Sequence, residues 1–239
     1  MRETLAVFRR EVKSLFVGPI PYIVIALFGG IACWYVIHTR IFFMVRQAKL
    51  DALFGFLPQL FAFFIPAIAM RAWSEEIRGE TIEPLLTSPV RAWHAVLGKF
   101  LAGLVVVALC LVATGSLAVT TATLGDLDGG AVTAGYVGAL LMGGAYLAVG
   151  LWLSSKTRNQ IVAFLLGLVI CFFWSMIENL SASAASGTLG ALLADLSLSG
   201  RFRSIALGVF DLRDVVFFLS VTAFFLYLNV ESIENRRNA

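Results

Sequence analysis

The residues best placed to do chemistry lie in one stretch, residues 70 to 90 (MRAWSEEIRGETIEPLLTSPV). There Arg71, Glu75, Glu76, Arg78, Glu80 and Glu83 are set among Trp73, Ile77, Ile82, Leu85 and Leu86. A turn between two helices needs only a handful of residues, so a segment of this length has work of its own. One reading is an interfacial helix resting on lipid headgroups. Its four glutamates would be repelled by an anionic leaflet, which favours a protein partner that accepts them. Gly79 weakens helix continuity, which predicts a first helix ending near Arg78 and a second from about Thr81 to Thr87, with Pro84 tolerated in its first turn. Ser88 and Pro89 then suit the N-cap and first position of the next helix.

Other reactive side chains do not converge. His38 and His94 fall on opposite sides of the expected membrane and cannot share a metal, and no glycine-framed serine lies near His94 for a nucleophile–base pair. Cys33, Cys110 and Cys171 sit inside apolar runs, where they pack as small polarizable groups. Thr114, Ser116, Thr120, Thr121 and Thr123 read as helix hydroxyls bonded to their own backbone. Asn179-Leu180-Ser181 matches a short glycosylation sequon that is frequent by chance. No phosphate-cradling GxxxxGKS/T loop occurs, since Gly98-Lys99 is followed by Phe100. Neither a bound cofactor nor a catalytic residue is therefore expected on this chain.

The elements that must position the charged segment are set by composition. Of 239 residues, 59% are hydrophobic and 14% charged, against about 25% charged in soluble domains. Six uncharged runs, at 14 to 39, 52 to 70, 100 to 125, 129 to 155, 159 to 177 and 215 to 230, cover more than half of the chain. About 20 apolar residues span the hydrocarbon core, and lipid offers nothing to an open backbone, so these runs read as six membrane-spanning helices of one all-α integral membrane domain over residues 1 to 239. Too little chain lies outside them for a soluble enzyme domain.

With both termini on one side, twelve of the eighteen lysines and arginines share that side, so the positive-inside rule places the termini in the cytoplasm. The cations flank lipid-embedded segments, which points to anchoring on headgroups and away from nucleic acid. No small-residue cleavage site follows the first run, so that span is expected to remain as an anchor. Before it, Leu5, Phe8, Val12, Leu15 and Phe16 recur at helical spacing with Arg9, Arg10, Glu11 and Lys13 mostly on the other face, which predicts an amphipathic helix in the cytoplasmic interface. Pro66 should kink span 2, and span 3 could run unbroken from Pro89 to Leu124. The glycines and alanines of span 4 permit close helix contact, read here as packing within one bundle in preference to a subunit interface. Residues 180 to 210 carry Leu189, Leu192, Leu193 and Leu196, then Phe202, Ile205, Ala206 and Val209, in helical pieces too short to span. Two interfacial or re-entrant outer helices are expected there. Glu178, Asp211, Arg213 and Asp214 stand at the same outer boundary, as solvated end residues or, alternatively, an outer gate.

The run Arg71, Glu75-Glu76, Arg78, Gly79, Thr81, Glu83, Leu85-Leu86-Thr87 and Pro89, with Gly98-Lys99 beyond, resembles the hallmark segment of type-2 ABC transporter permeases. The amphipathic start, Phe8-Arg9-Arg10-Glu11 to Phe16, and Asp211-Leu212-Arg213-Asp214 leading into the last span agree with it, and the likeness is greatest to the gliding-motility-type branch. Glu80 and Pro84 depart from the pattern. The resemblance implies that residues 1 to 17 form an elbow helix. It also makes residues 71 to 88 an ATPase-coupling element comprising Arg71, Glu75, Glu76, Arg78, Gly79, Glu80, Thr81 and Glu83. Two copies of an ABC ATP-binding subunit would hold ATP and Mg, with a second permease copy or a related permease alongside. Where ATP drives mechanical work, an additional envelope subunit would join. Leu198-Ser199-Gly200-Arg201 only faintly matches the start of an ABC signature and lies on the outer side. A secondary transporter or channel would carry ionisable residues in mid-membrane, and all six spans are free of charge at their centres. A non-transporting membrane scaffold is the other alternative.

Overall fold

Apolar runs with no water to bond their backbone fold as helices, and the computed structural model, which describes residues 2–38, 50–79, 91–125, 127–183, 195–209 and 211–237, is all helical over its elements. In chain order these are α1 (Arg2–Val17), α2 (Ile20–His38), α3 (Asp51–Ala69), α4 (Arg71–Arg78), α5 (Ala92–Leu124), α6 (Gly129–Lys156), α7 (Gln160–Ser183), α8 (Leu198–Ala206) and α9 (Leu212–Arg237). Among the described residues six helices are long and apolar enough to cross a membrane: α2, α3 continued by α4, α5, α6, α7 and α9. They run alternately up and down. One end of the bundle gathers α1, α4, the starts of α2, α5 and α7 and the last turns of α6 and α9, and is called here the terminal end. The far end carries α8 and the start of α9.

The axis of the bundle is α6, which touches α3, α4, α5, α7, α8 and α9. Its small residues make this possible. A Cβ on Gly135 would stand 2.4 Å from the Phe54 ring of α3, one on Gly143 2.8 Å from Val107 of α5, and one on Gly138 2.8 Å from Ile205 of α8. The glycines of α6 therefore serve packing inside this chain, on several faces, as the sequence suggested. Met142, Tyr146, Leu147 and Leu151 fill the same contacts and are fully buried. Phe28 of α2 stacks on Phe61 of α3 at 5.7 Å between centroids, closing the bundle on the second side. By contrast α7 leaves Ile161, Leu165, Val169, Phe172 and Phe173 exposed, the surface expected of a lipid-facing helix.

One expectation about a helix limit needs correction. Arg91 is extended (φ −70°, ψ 145°), so α5 begins at Ala92 and does not run from Pro89. The 33 residues that remain still measure about 50 Å, longer than the hydrocarbon core, so their first turns stand clear of it. In span 2, α3 includes Pro58 and Pro66, and the regular helix is interrupted at Met70 before α4 begins. The proposed second helix at residues 81 to 87 and the outer piece around Leu189 lie outside the described residues. The other outer piece is α8, and it stops in a Schellman turn: Val209 N–H bonds Ser204 O, Gly208 N–H bonds Ile205 O, and Gly208 takes the left-handed φ of 87° that only glycine adopts readily.

Candidate functional site

The segment singled out by its charges begins at a joint. Met70 keeps helical angles (φ −55°, ψ −33°), yet the helix is interrupted there because a hydroxyl from α6 enters its ladder. Ser154 Oγ accepts from Trp73 N–H at 3.2 Å and Ser74 N–H at 3.2 Å, and donates to Met70 O at 2.9 Å. One serine thus uses its donor and both lone pairs, and it satisfies backbone donors that the first turn of α4 would otherwise leave open. The Ser74 hydroxyl also donates to Met70 O. At the other end Gly79 closes α4, its N–H bonded to Glu75 O.

A buried ammonium holds α4 from the opposite side. Lys99 of α5, with its side chain 3% exposed, places Nζ 2.8 Å from Glu76 Oε1 of α4 and 3.1 Å from Glu11 Oε1 of α1. The same ammonium lies 4.8 Å from the Trp73 ring centroid, and Arg10 approaches Glu76 at 3.9 Å. Two carboxylates and two cations therefore meet where three helices converge, the condition under which a charge is tolerated away from water. Two further ties draw α1 onto α5. His94 Nδ1 lies 3.2 Å from Glu3 Oε2, and α1 passes so close over Gly98 that an added Cβ would stand 2.6 Å from Val7 Cγ1 and 3.2 Å from Phe8 N. The amphipathic helix read from the sequence thus rests on protein along one side.

The carboxylates expected to act together are divided by this geometry. Glu76 turns inward to Lys99, while Glu75, half exposed, is gripped by Arg71 one turn earlier through two bonds of 2.6 and 3.0 Å. Arg78 and Gly79 are exposed. Glu80, Thr81 and Glu83 lie outside the described residues. Sequence reasoning met Lys99 beside Gly98 in the family-like run and Trp73 among the apolar residues of the segment, but gave Lys99 no ion-pair partner and did not single out Ser154, Glu11 or Arg10 as parts of this site. A lone lysine entering an apolar run was the one available signal, since its partners are 23 and 88 residues away.

At the far end the four residues considered as an outer gate also separate. Asp214 pairs with Arg201 at 3.0 Å, and Arg201 in turn bonds Asp195 O at 2.9 Å and lies 4.4 Å from the Phe217 ring centroid. Glu178 meets Arg203 at 3.4 Å. Asp211 accepts Arg213 N–H at 2.9 Å and so helps start α9, while the Arg213 side chain is exposed. These pairs fasten α8 to α7 and α9. Among the described residues no cluster of His, Cys, Asp and Glu could hold a metal ion, and His38 and His94 lie at opposite ends of the bundle.

The decisive comparison is with protein families: the model of the ABC-2 family transporter proteins matches residues 14–236. The chain belongs to the ABC-2 transporter family. Membership makes it a membrane permease of the ABC type, a subunit that works with an ABC ATP-binding subunit. No curated protein matches it at a significant level. In this ABC-2 permease the matched region takes in the joint at Met70, Lys99 and the pairs around α8, and leaves most of α1 before it.

Proposed function

We propose that this ABC-2 permease is the membrane subunit of a bacterial exporter or mechanotransmitter, with the terminal end in the cytoplasm and α4 as the element that receives the ATPase. Two copies of the permease, or this chain and a related one, would stand over two ATP-binding subunits that hold ATP and Mg. The gliding-motility-type branch is the subfamily its charged segment resembles most.

The observation that carries this reading is the mounting of α4. A short charged helix is joined to span 2 through an opened ladder at Met70, pinned to the central helix by Ser154 and tied to α1 and α5 through Glu76 and Lys99. It leaves Glu75, Arg78 and Gly79 outward for a partner. A push on that face would be delivered along α3 and α5 together, and α3 and α5 both reach the far end. Residues 71 to 88 would be the docking element and Glu75, Arg78, Glu80 and Glu83 its contacts, with Glu76 acting from inside. The far-end pairs Arg201–Asp214 and Arg203–Glu178 would move with α8 as the outer side opens.

The test is to purify the tagged chain gently from its native membrane, identify its companions by mass spectrometry and measure ATP hydrolysis by the complex. A stoichiometric nucleotide-binding subunit with ATPase activity is the expected result. A homo-oligomer without an ATPase, reproducible under mild crosslinking, would overturn the coupling assignment and favour a secondary transporter, a channel or a scaffold.

A further inference from the structure

A cavity of about 400 Å³ opens beneath α1 at the terminal end, within the range of small-molecule sites. Its mouth carries Arg10, Arg71 and Lys99 against Glu11, Glu75 and Glu76. Its interior, bounded by Val24 of α2, Ile68 of α3, Val106 of α5 and Leu151 of α6, is apolar and reaches in between the spans. Charged groups at the mouth and hydrocarbon within reproduce the polarity profile of one bilayer leaflet.

The charges decide which amphiphile fits. Three cations and three carboxylates cancel at the mouth, and they are interleaved: Lys99 lies between Glu11 and Glu76, and Arg71 against Glu75. An anionic headgroup would meet as many carboxylates as cations, and a purely cationic one the reverse. A headgroup bearing both signs meets partners for both. We propose that the cavity holds one zwitterionic phospholipid, its headgroup among the mixed charges of the mouth and an acyl chain along Val24, Ile68, Val106 and Leu151. The lipid is a resident of the fold, seated among α1 to α6, and the assignment needs only that the chain is embedded in a membrane.

The experiment uses the purified full chain in nanodiscs with a phosphatidylethanolamine that carries a photoreactive diazirine in its acyl chain. Adducts are mapped by mass spectrometry, with competition by unlabelled phosphatidylethanolamine or phosphatidylglycerol. The expected result is labelling of the α2 and α5 peptides containing Val24 and Val106, lost on competition by phosphatidylethanolamine and retained with phosphatidylglycerol. Val106→Trp, which fills the interior, should remove these adducts and leave those on the exposed face of α7 unchanged. Should that variant not fold, the competition on the unmodified chain still decides. Equal competition by the two lipids, or adducts confined to the exposed faces of α7 and α9, would overturn the proposal.

Discussion

The Lys99 ammonium lies 2.8 Å from the Glu76 carboxylate on a side chain that is 3% exposed, and the same nitrogen reaches Glu11 at 3.1 Å. A pair this secluded is worth little against a well-packed apolar substitute but a great deal against the loss of one member.

Lys99→Met should therefore leave Glu11 and Glu76 without the buried cation they share and lower stability by about 3 kcal/mol. The triple variant Lys99→Met, Glu11→Gln, Glu76→Gln should recover most of that loss. Thermal unfolding of the detergent-solubilised protein measures both, and a triple variant no more stable than the single one would show that the charges are not the source of the effect.

Ser154→Ala removes one acceptor used by two backbone N–H groups and one donor to Met70 O. A loss of about 1 to 3 kcal/mol is expected from the buried donors left unpaired. Hydrogen exchange should quicken at the Trp73 and Ser74 amides of α4 before it does in α3. Unchanged exchange at those two amides would mean that the joint is held by other contacts.

Gly98→Ala should lift α1 from α5, because the new methyl would stand 2.6 Å from Val7 Cγ1 and also meet the Phe8 backbone. Limited trypsin digestion should then cut faster at Arg9, Arg10 and Lys13. Val7→Ala in the same chain should slow that cleavage in part by removing the nearer of the clashes.

Glu75 and Glu76 should part company in function, since one faces out and the other in. Glu75→Ala combined with Arg78→Ala should reduce co-purification of the ATP-binding subunit while the permease keeps its thermal stability. Glu76→Gln should do the opposite, weakening the attachment of α1 with less effect on the yield of complex. Equal loss of complex in both variants would place Glu76 in the docking face as well.

Six spans, the amphipathic start and a first charged helix ending near Arg78 were all legible in the sequence, because each follows from local pattern: apolar length, helical spacing, and glycine as a stop. The joint in span 2 was not. Proline is the local signal for a break and the prolines are at 58 and 66, but the actual interruption is made by Ser154, 84 residues from Met70, through a hydroxyl that resembles any other serine in a helix. The start of α5 was misplaced for a related reason, since Ser88-Pro89 is a good local start signal and the extended Arg91 overrides it. Periodicity describes one helix at a time. Which carboxylate turns toward Lys99 depends on the rotation of α4 against α5 and α1, so the spacing of Glu75 and Glu76 could not assign one to the interior and the other to the surface.

Ser154 grips only main-chain atoms of span 2 and α4: an oxygen of Met70 and the amides of Trp73 and Ser74. The joint at the start of α4 is thus written in its backbone, and the side chains at 75 and 78 can be exchanged without rebuilding it. A permease mounted in this way could be re-addressed to a different motor by a few surface substitutions, much as a plug is changed while the wiring stays.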